Sequence, residues 1–179
     1  MLLNPQLKPF IDRLQSEKAA FIQQIESLTA EERGQFPESG WNMLQVMEHV
    51  ITSEQGTFGY LEKKTQAPYS EIPLTDETMQ QNGEKLKDAL LSDNRWKAPQ
   101  VLPDPTGAQS FENMSTYWDN LRSQYFKFLE DLDEQYYKRQ VFKHPFSGRL
   151  NLFQTLEFQI NHIVHHGYQI DRIKAEISD

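Results

Sequence analysis

The sequence predicts an all-α protein, a four-helix bundle with a long connection between its second and third helices. Apolar residues recur at three- and four-residue steps in four separate stretches, the mark of helices with one buried face. No stretch reads as a convincing strand, and Pro68, Pro73, Pro99, Pro103 and Pro105 crowd the interval between the second and third stretches. At 179 residues the chain is long enough for one domain with a sizeable core, so residues 1–179 are expected to form a single domain.

The first helix is expected from Asn4 to about Leu28, with Leu7, Phe10, Ile11, Leu14, Phe21 and Ile25 on its apolar stripe. Asn4 followed by Pro5 reads as an N-cap with proline at the first helical position. Gly34, Pro37 and Gly40 make Arg33 to Trp41 a connection. Asn42 and Gln45 then resemble a capping box at the head of a second helix, Met43 to Lys64. The interval from Gln66 to Gln109 has one short helical possibility, Glu84 to Leu91, and a connection this long usually covers or shapes something. Ser110 caps a third helix from Phe111 to about Leu132. After Pro145 and Gly148, Asn151 and Gln154 repeat the Asn-x-x-Gln start, and Leu152, Leu156, Ile160, Ile163, Ile170 and Ile177 carry a fourth helix.

Composition narrows the chemistry. A net charge of −8 with no basic run argues against nucleic acid as a partner, because phosphate recognition rests on Lys and Arg. The absence of cysteine removes disulfides, thiolate ligands and a cysteine nucleophile, leaving histidine and carboxylate as metal ligands. The start MLLNPQLKPFIDRLQSEK lacks the pattern of a signal peptide and no apolar run reaches bilayer length, so a cytoplasmic protein with no membrane partner is expected.

Three of the five histidines fall in NHIVHHGYQ. Residues four apart share one face of a helix, so His162 and His166 can both reach a single ion, whereas His165 cannot easily join them. Counting about 100° per residue, the core stripe centres near about 20°, His162 and His166 cluster with Thr155, Gln159 and Gln169 near about 300°, and His165 falls near about 220°, further from the core. His49 on the second helix shares a stripe with Ser53, Gly56 and Tyr60, small residues among them leaving room beside it. An H-x-x-x-H pair taken alone is more often exposed or core histidine. Joined by His49 in a bundle without cysteine, it points to three metal ligands and an open position, the pattern of a catalytic or exchangeable site. The HExxH of zinc proteases is absent because Ile163 stands where its Glu would be, and the two Glu-x-x-His motifs of di-iron bundles are absent too.

WNMLQVMEHV around His49, the connector ending APQVLPDP, and HPFSGRLNLFQTLEFQINHIVHHGYQI together resemble the DinB-like superfamily of four-helix proteins. The last segment is similar to that family's HP-x-x-G-x-L lead-in and H-x-x-x-H-x-x-Q ending, and the resemblance covers most of the chain. The family is described as metal-dependent hydrolases and includes bacillithiol- and mycothiol-dependent transferases and isomerases. The resemblance puts His49, His162 and His166 in the positions of its three metal ligands, water completing the shell, with zinc or nickel as the divalent ion. Gln169 and Asn161 are candidates for supporting the ligands, and His144 of the lead-in is expected in the turn before the fourth helix rather than on the metal. Glu48 and Glu54 are expected as solvated or capping charges, Glu54 being the one placed to be a general base.

Two functions follow from these residues. In the first, the protein is an enzyme, a hydrolase or a transferase, that activates water or a low-molecular-weight thiol at the three-histidine site for a small-molecule substrate. In the second, it is a non-catalytic binding module that forms a homodimer, the metal holding the second and fourth helices together.

Overall fold

The computed structural model describes residues 4–38, 40–92 and 102–178, and among them six α-helices and one two-stranded sheet. In chain order these are α1 (Lys8–Glu26), α2 (Ala30–Gly34), α3 (Met43–Lys64), α4 (Glu77–Leu90), α5 (Phe111–Asp131), β1 (Phe142–His144), β2 (Gly148–Leu150) and α6 (Leu152–Ser178). The protein is therefore mainly helical. No helix among the described residues is long and apolar enough to cross a membrane. Pro99 and the Ala98 to Val101 part of the connector lie outside the described residues.

The four expected stripes form four long helices, with starts and stops close to those the caps indicate. Asn42 Oδ1 accepts from the Gln45 N–H at 2.9 Å while Gln45 Oε1 accepts from the Asn42 N–H at 3.1 Å, and Asn151 with Gln154 repeats both bonds at 2.9 and 3.0 Å. Each box satisfies donors that the first helical turn leaves without partners. The start of α1 differs from expectation. The Leu7 and Lys8 N–H groups both bond to the Asn4 carbonyl and Asn4 Oδ1 takes the Gln6 N–H, so Asn4 to Leu7 is a turn. The helix opens at Lys8, and Pro9, not Pro5, occupies its first turn. The segment before Trp41 also holds α2, begun by a capping box between Thr29 and Glu32.

The long helices close a ring: α1 packs on α6 and α5, and α3 packs on α5 and α6. Leu14, Phe21, Met47, Leu61, Trp118 and Ile160 meet inside it with almost no exposure. A buried ion pair crosses this core. Arg122 of α5 bonds to Glu54 of α3 through both Nε and Nη2, the latter at 2.7 Å, Trp118 Nε1 donates to the same carboxylate at 3.1 Å, and Arg122 Nη1 donates to the Leu14 carbonyl of α1 at 2.7 Å. Three helices are tied at one guanidinium, whose planar fork suits this geometry.

Part of the expected connection is a structured wall. Helix α4 spans Glu77–Leu90, well before the expected Glu84, because Asp76 caps it by accepting from the Met79 N–H at 2.9 Å. It lies on α6, and Gln154 Nε2 donates to the Met79 carbonyl at 2.9 Å. Gly83 leaves room for that amide: a Cβ there would stand 2.5 Å from its nitrogen, and the Gln154 side chain would have to shift.

The strands correct the expectation of a plain turn before the last helix. Phe142, Lys143 and His144 pair antiparallel with Leu150, Arg149 and Gly148, forming a hairpin packed against α4, α3 and the start of α6. Gly148 lies at φ +74, a left-handed conformation glycine adopts without strain. Strands of three residues are too short for a two-residue period to announce them.

Candidate metal centre

His49 lies in the second turn of α3, and His162 and His166 face it from adjacent turns of α6. One ring nitrogen from each of the three lies within 4.8 Å of the other two. His162 Nε2 and His166 Nε2 approach to 3.1 Å, and the ring centres of His49 lie 5.2 and 4.8 Å from theirs. A tetrahedral ion with bonds of about 2.1 Å sets its nitrogens about 3.4 Å apart, so the donor set suits a small divalent cation after slight adjustment.

Protonation favours the same chemistry. Burial lowers the His49 pKa from its ordinary 6.5 to about 4, assisted by the nearby His165. Burial and then mutual repulsion hold His162 and His166 well below the usual histidine range. All three are neutral at neutral pH, the form that binds a metal. Gln169 sharpens this for His166: its Oε1 accepts from Nδ1–H at 2.7 Å, which leaves the Nε2 lone pair turned toward the cluster. No hydrogen bond holds the His49 ring among the described residues, and Trp41 lies against it with ring centres 5.2 Å apart.

The cluster forms part of the wall of a cavity of about 900 Å³. Ser53, Gly56 and Thr57 line its α3 side and leave the space expected beside His49, while Leu86 and Leu90 close the α4 side and Phe158 the floor near α6. The hairpin completes it with Phe142 and the turn from Pro145 to Ser147. Tyr60, also on the wall, accepts a hydrogen bond from Arg149 Nη1 at 2.9 Å, which fastens β2 to α3.

The family model of the DinB superfamily matches residues 13–170, a span containing all three histidines. The chain belongs to the DinB superfamily. No curated protein and no solved structure matches it.

Within this DinB-superfamily chain the other candidates separate. His165 stays off the cluster, as its position on the helix indicates, but it is buried rather than turned from the core. Its Nδ1 meets the Leu90 carbonyl at 2.8 Å, so α4 covers the face of α6 that looks open in the sequence. Asn161 is buried, bonds at 3.5 Å to Glu157, and does not line the cavity. Glu54 is not available as a general base, because Arg122 and Trp118 occupy its carboxylate inside the core. Glu48 takes the N–H groups of Thr106 and Gly107 at 2.8 and 2.7 Å, and Gln45 Nε2 donates to the Pro105 carbonyl at 3.0 Å, so the end of the connector is pinned to the start of α3. Sequence reasoning missed Trp41 and Phe158 as wall residues; a tryptophan immediately before a capping box was the available signal for the first.

Proposed function

We propose that this protein is a metal-dependent enzyme, a hydrolase or transferase, in which His49, His162 and His166 hold one zinc or nickel ion and the adjoining cavity takes a small-molecule substrate. The four long helices are read as one four-helix bundle domain that presents these ligands from two facing helices. The observation that carries the reading is the convergence of three neutral imidazoles at the wall of a roomy cavity. A purely structural ion is normally enclosed by four protein ligands, whereas three with space beside them leave a coordination position for a reactant. When bound, the ion supplies Lewis acidity that makes a nucleophile of water or of a low-molecular-weight thiol near neutral pH. The chain's own residues do the rest. Gln169 orients His166, the apolar wall of Leu86, Leu90, Phe142 and Phe158 displaces water, and the open side admits a substrate.

The test begins with metal analysis of protein purified without a nickel column, in wild type and His162→Ala. About one ion per chain is expected in the first and a loss of at least about tenfold in metal affinity in the second. The loaded protein is then assayed for thiol transfer to a chromogenic electrophile and for ester hydrolysis. Equal metal content in the two proteins would remove the site, and a metal-replete protein inert with every thiol and ester would favour an ion that only holds α3 to α6.

A further inference from the structure

His144 ends β1 in the cavity wall, the residue 6% exposed. The backbone N–H groups of Phe146 and Ser147 both point at its Nδ1, at 3.3 and 3.2 Å. Backbone N–H can only donate, so Nδ1 must offer its lone pair, and the ring proton sits on Nε2. The hairpin turn thus selects both the tautomer and the neutral ring by geometry. Among the described residues no group accepts from Nε2–H. The ring packs edge-to-face on Phe158 at 4.7 Å between centres, and Phe158 lies 5.5 Å from the ring of His162. A fixed donor therefore stands one aromatic ring away from the three-histidine cluster.

We propose that His144 is a substrate-binding residue of this cavity, its Nε2–H donating to a carbonyl or carboxylate oxygen of a substrate whose apolar part lies along Phe142 and Phe158 and whose reacting end meets the three histidines. This rests on the cavity being the active site. The ring nitrogen is not sealed inside the protein but opens on the cavity, where an acceptor on the substrate can take the place of water on its N–H. Because the ring is neutral, it discriminates by hydrogen bonding rather than by charge, and takes an amide carbonyl as well as a carboxylate. Burial alone pushes its pKa down to about 4, so the donor stays neutral through the physiological range.

Phenylacetate, phenylacetamide and toluene serve as probes, added to the full chain as purified and again after chelation. The His144 ring nitrogens and the Trp41 indole N–H are followed by NMR. The two acceptor-bearing probes are expected to move the His144 Nε2–H and toluene to leave it. Two variants separate binding from turn support. His144→Asn can still accept from the turn N–H groups through Oδ1 but does not reach the cavity, and should keep the melting temperature while weakening phenylacetate and phenylacetamide by about tenfold. His144→Gln reaches as far as Nε2 but leaves the turn uncapped, and should melt lower while holding both probes within about threefold of wild type. Affinity that instead follows the melting temperature makes His144 a turn cap and overturns the proposal. Probes that move Trp41 without moving His144 overturn it too and leave the active-site reading standing. Probes that move neither remove both.

Discussion

Gln169 and His166 make one unit: the amide oxygen holds the Nδ1 proton, and the opposite nitrogen is left to bind. Removing such a partner from a metal-binding histidine typically costs 10–100-fold in affinity. Gln169→Leu should accordingly weaken zinc by about tenfold or more in a competition titration with a chelating dye, with the fold intact by circular dichroism. Unchanged affinity would mean that the amide orients nothing. His144 makes a prediction in pH. Its folded pKa lies at about 4 against an ordinary 6.5, so between those values the unfolded chain binds the extra proton and the folded chain does not. Stability contributed by its neutral form is complete above pH 6.5 and is lost as pH falls toward about 4. His49 adds in the same direction. The melting temperature of chelated protein should fall across that window, and fall less in His144→Asn; parallel curves for the two proteins would refute the assignment to His144. At this scale the histidine cluster was legible in part: helical spacing alone brings His162 and His166 together, whereas His49 joined them through its stripe of small neighbours and the family resemblance. The lone pair of His144 was not, since it depends on two N–H groups of a turn whose shape no periodicity encodes.

Helix ends were the most legible elements. Asn42 with Gln45 and Asn151 with Gln154 carry their hydrogen bonds within three residues, so local sequence suffices. The pair Pro5 and Pro9 shows the limit, because either proline fits a first turn and the Asn4 turn decides between them. The hairpin and α4 were less visible for a different reason: each is held by elements distant in the chain, the hairpin by α3 and α4, and α4 by α6, to which Gln154 ties it. The core ion pair gives the prediction for elements. Arg122→Met leaves the Glu54 carboxylate buried without its cation and should cost about 3–5 kcal/mol in denaturant unfolding. The double variant with Glu54→Leu should recover most of that loss and keep the wild-type metal content. Loss of metal or activity in a folded double variant would return Glu54 to the chemistry.

For the molecule as a whole, four apolar stripes were enough to foresee four long helices, but not which faces meet. The cavity is assembled from α3, α4, α6 and the hairpin, elements that bring together residues more than a hundred positions apart in the chain, and the part formed by α4 came from a stretch that reads as a proline-rich connection. The same covering buries His165 and turns a groove into a pocket with the three histidines on its wall. The direct test is anomalous scattering from a crystal of protein prepared without a nickel column, with data at the nickel, zinc and iron edges. One anomalous peak is expected about 2.1 Å from a nitrogen of each of His49, His162 and His166. A map with no peak there, and the three rings bonded only to one another or to water, would contradict the three-histidine site.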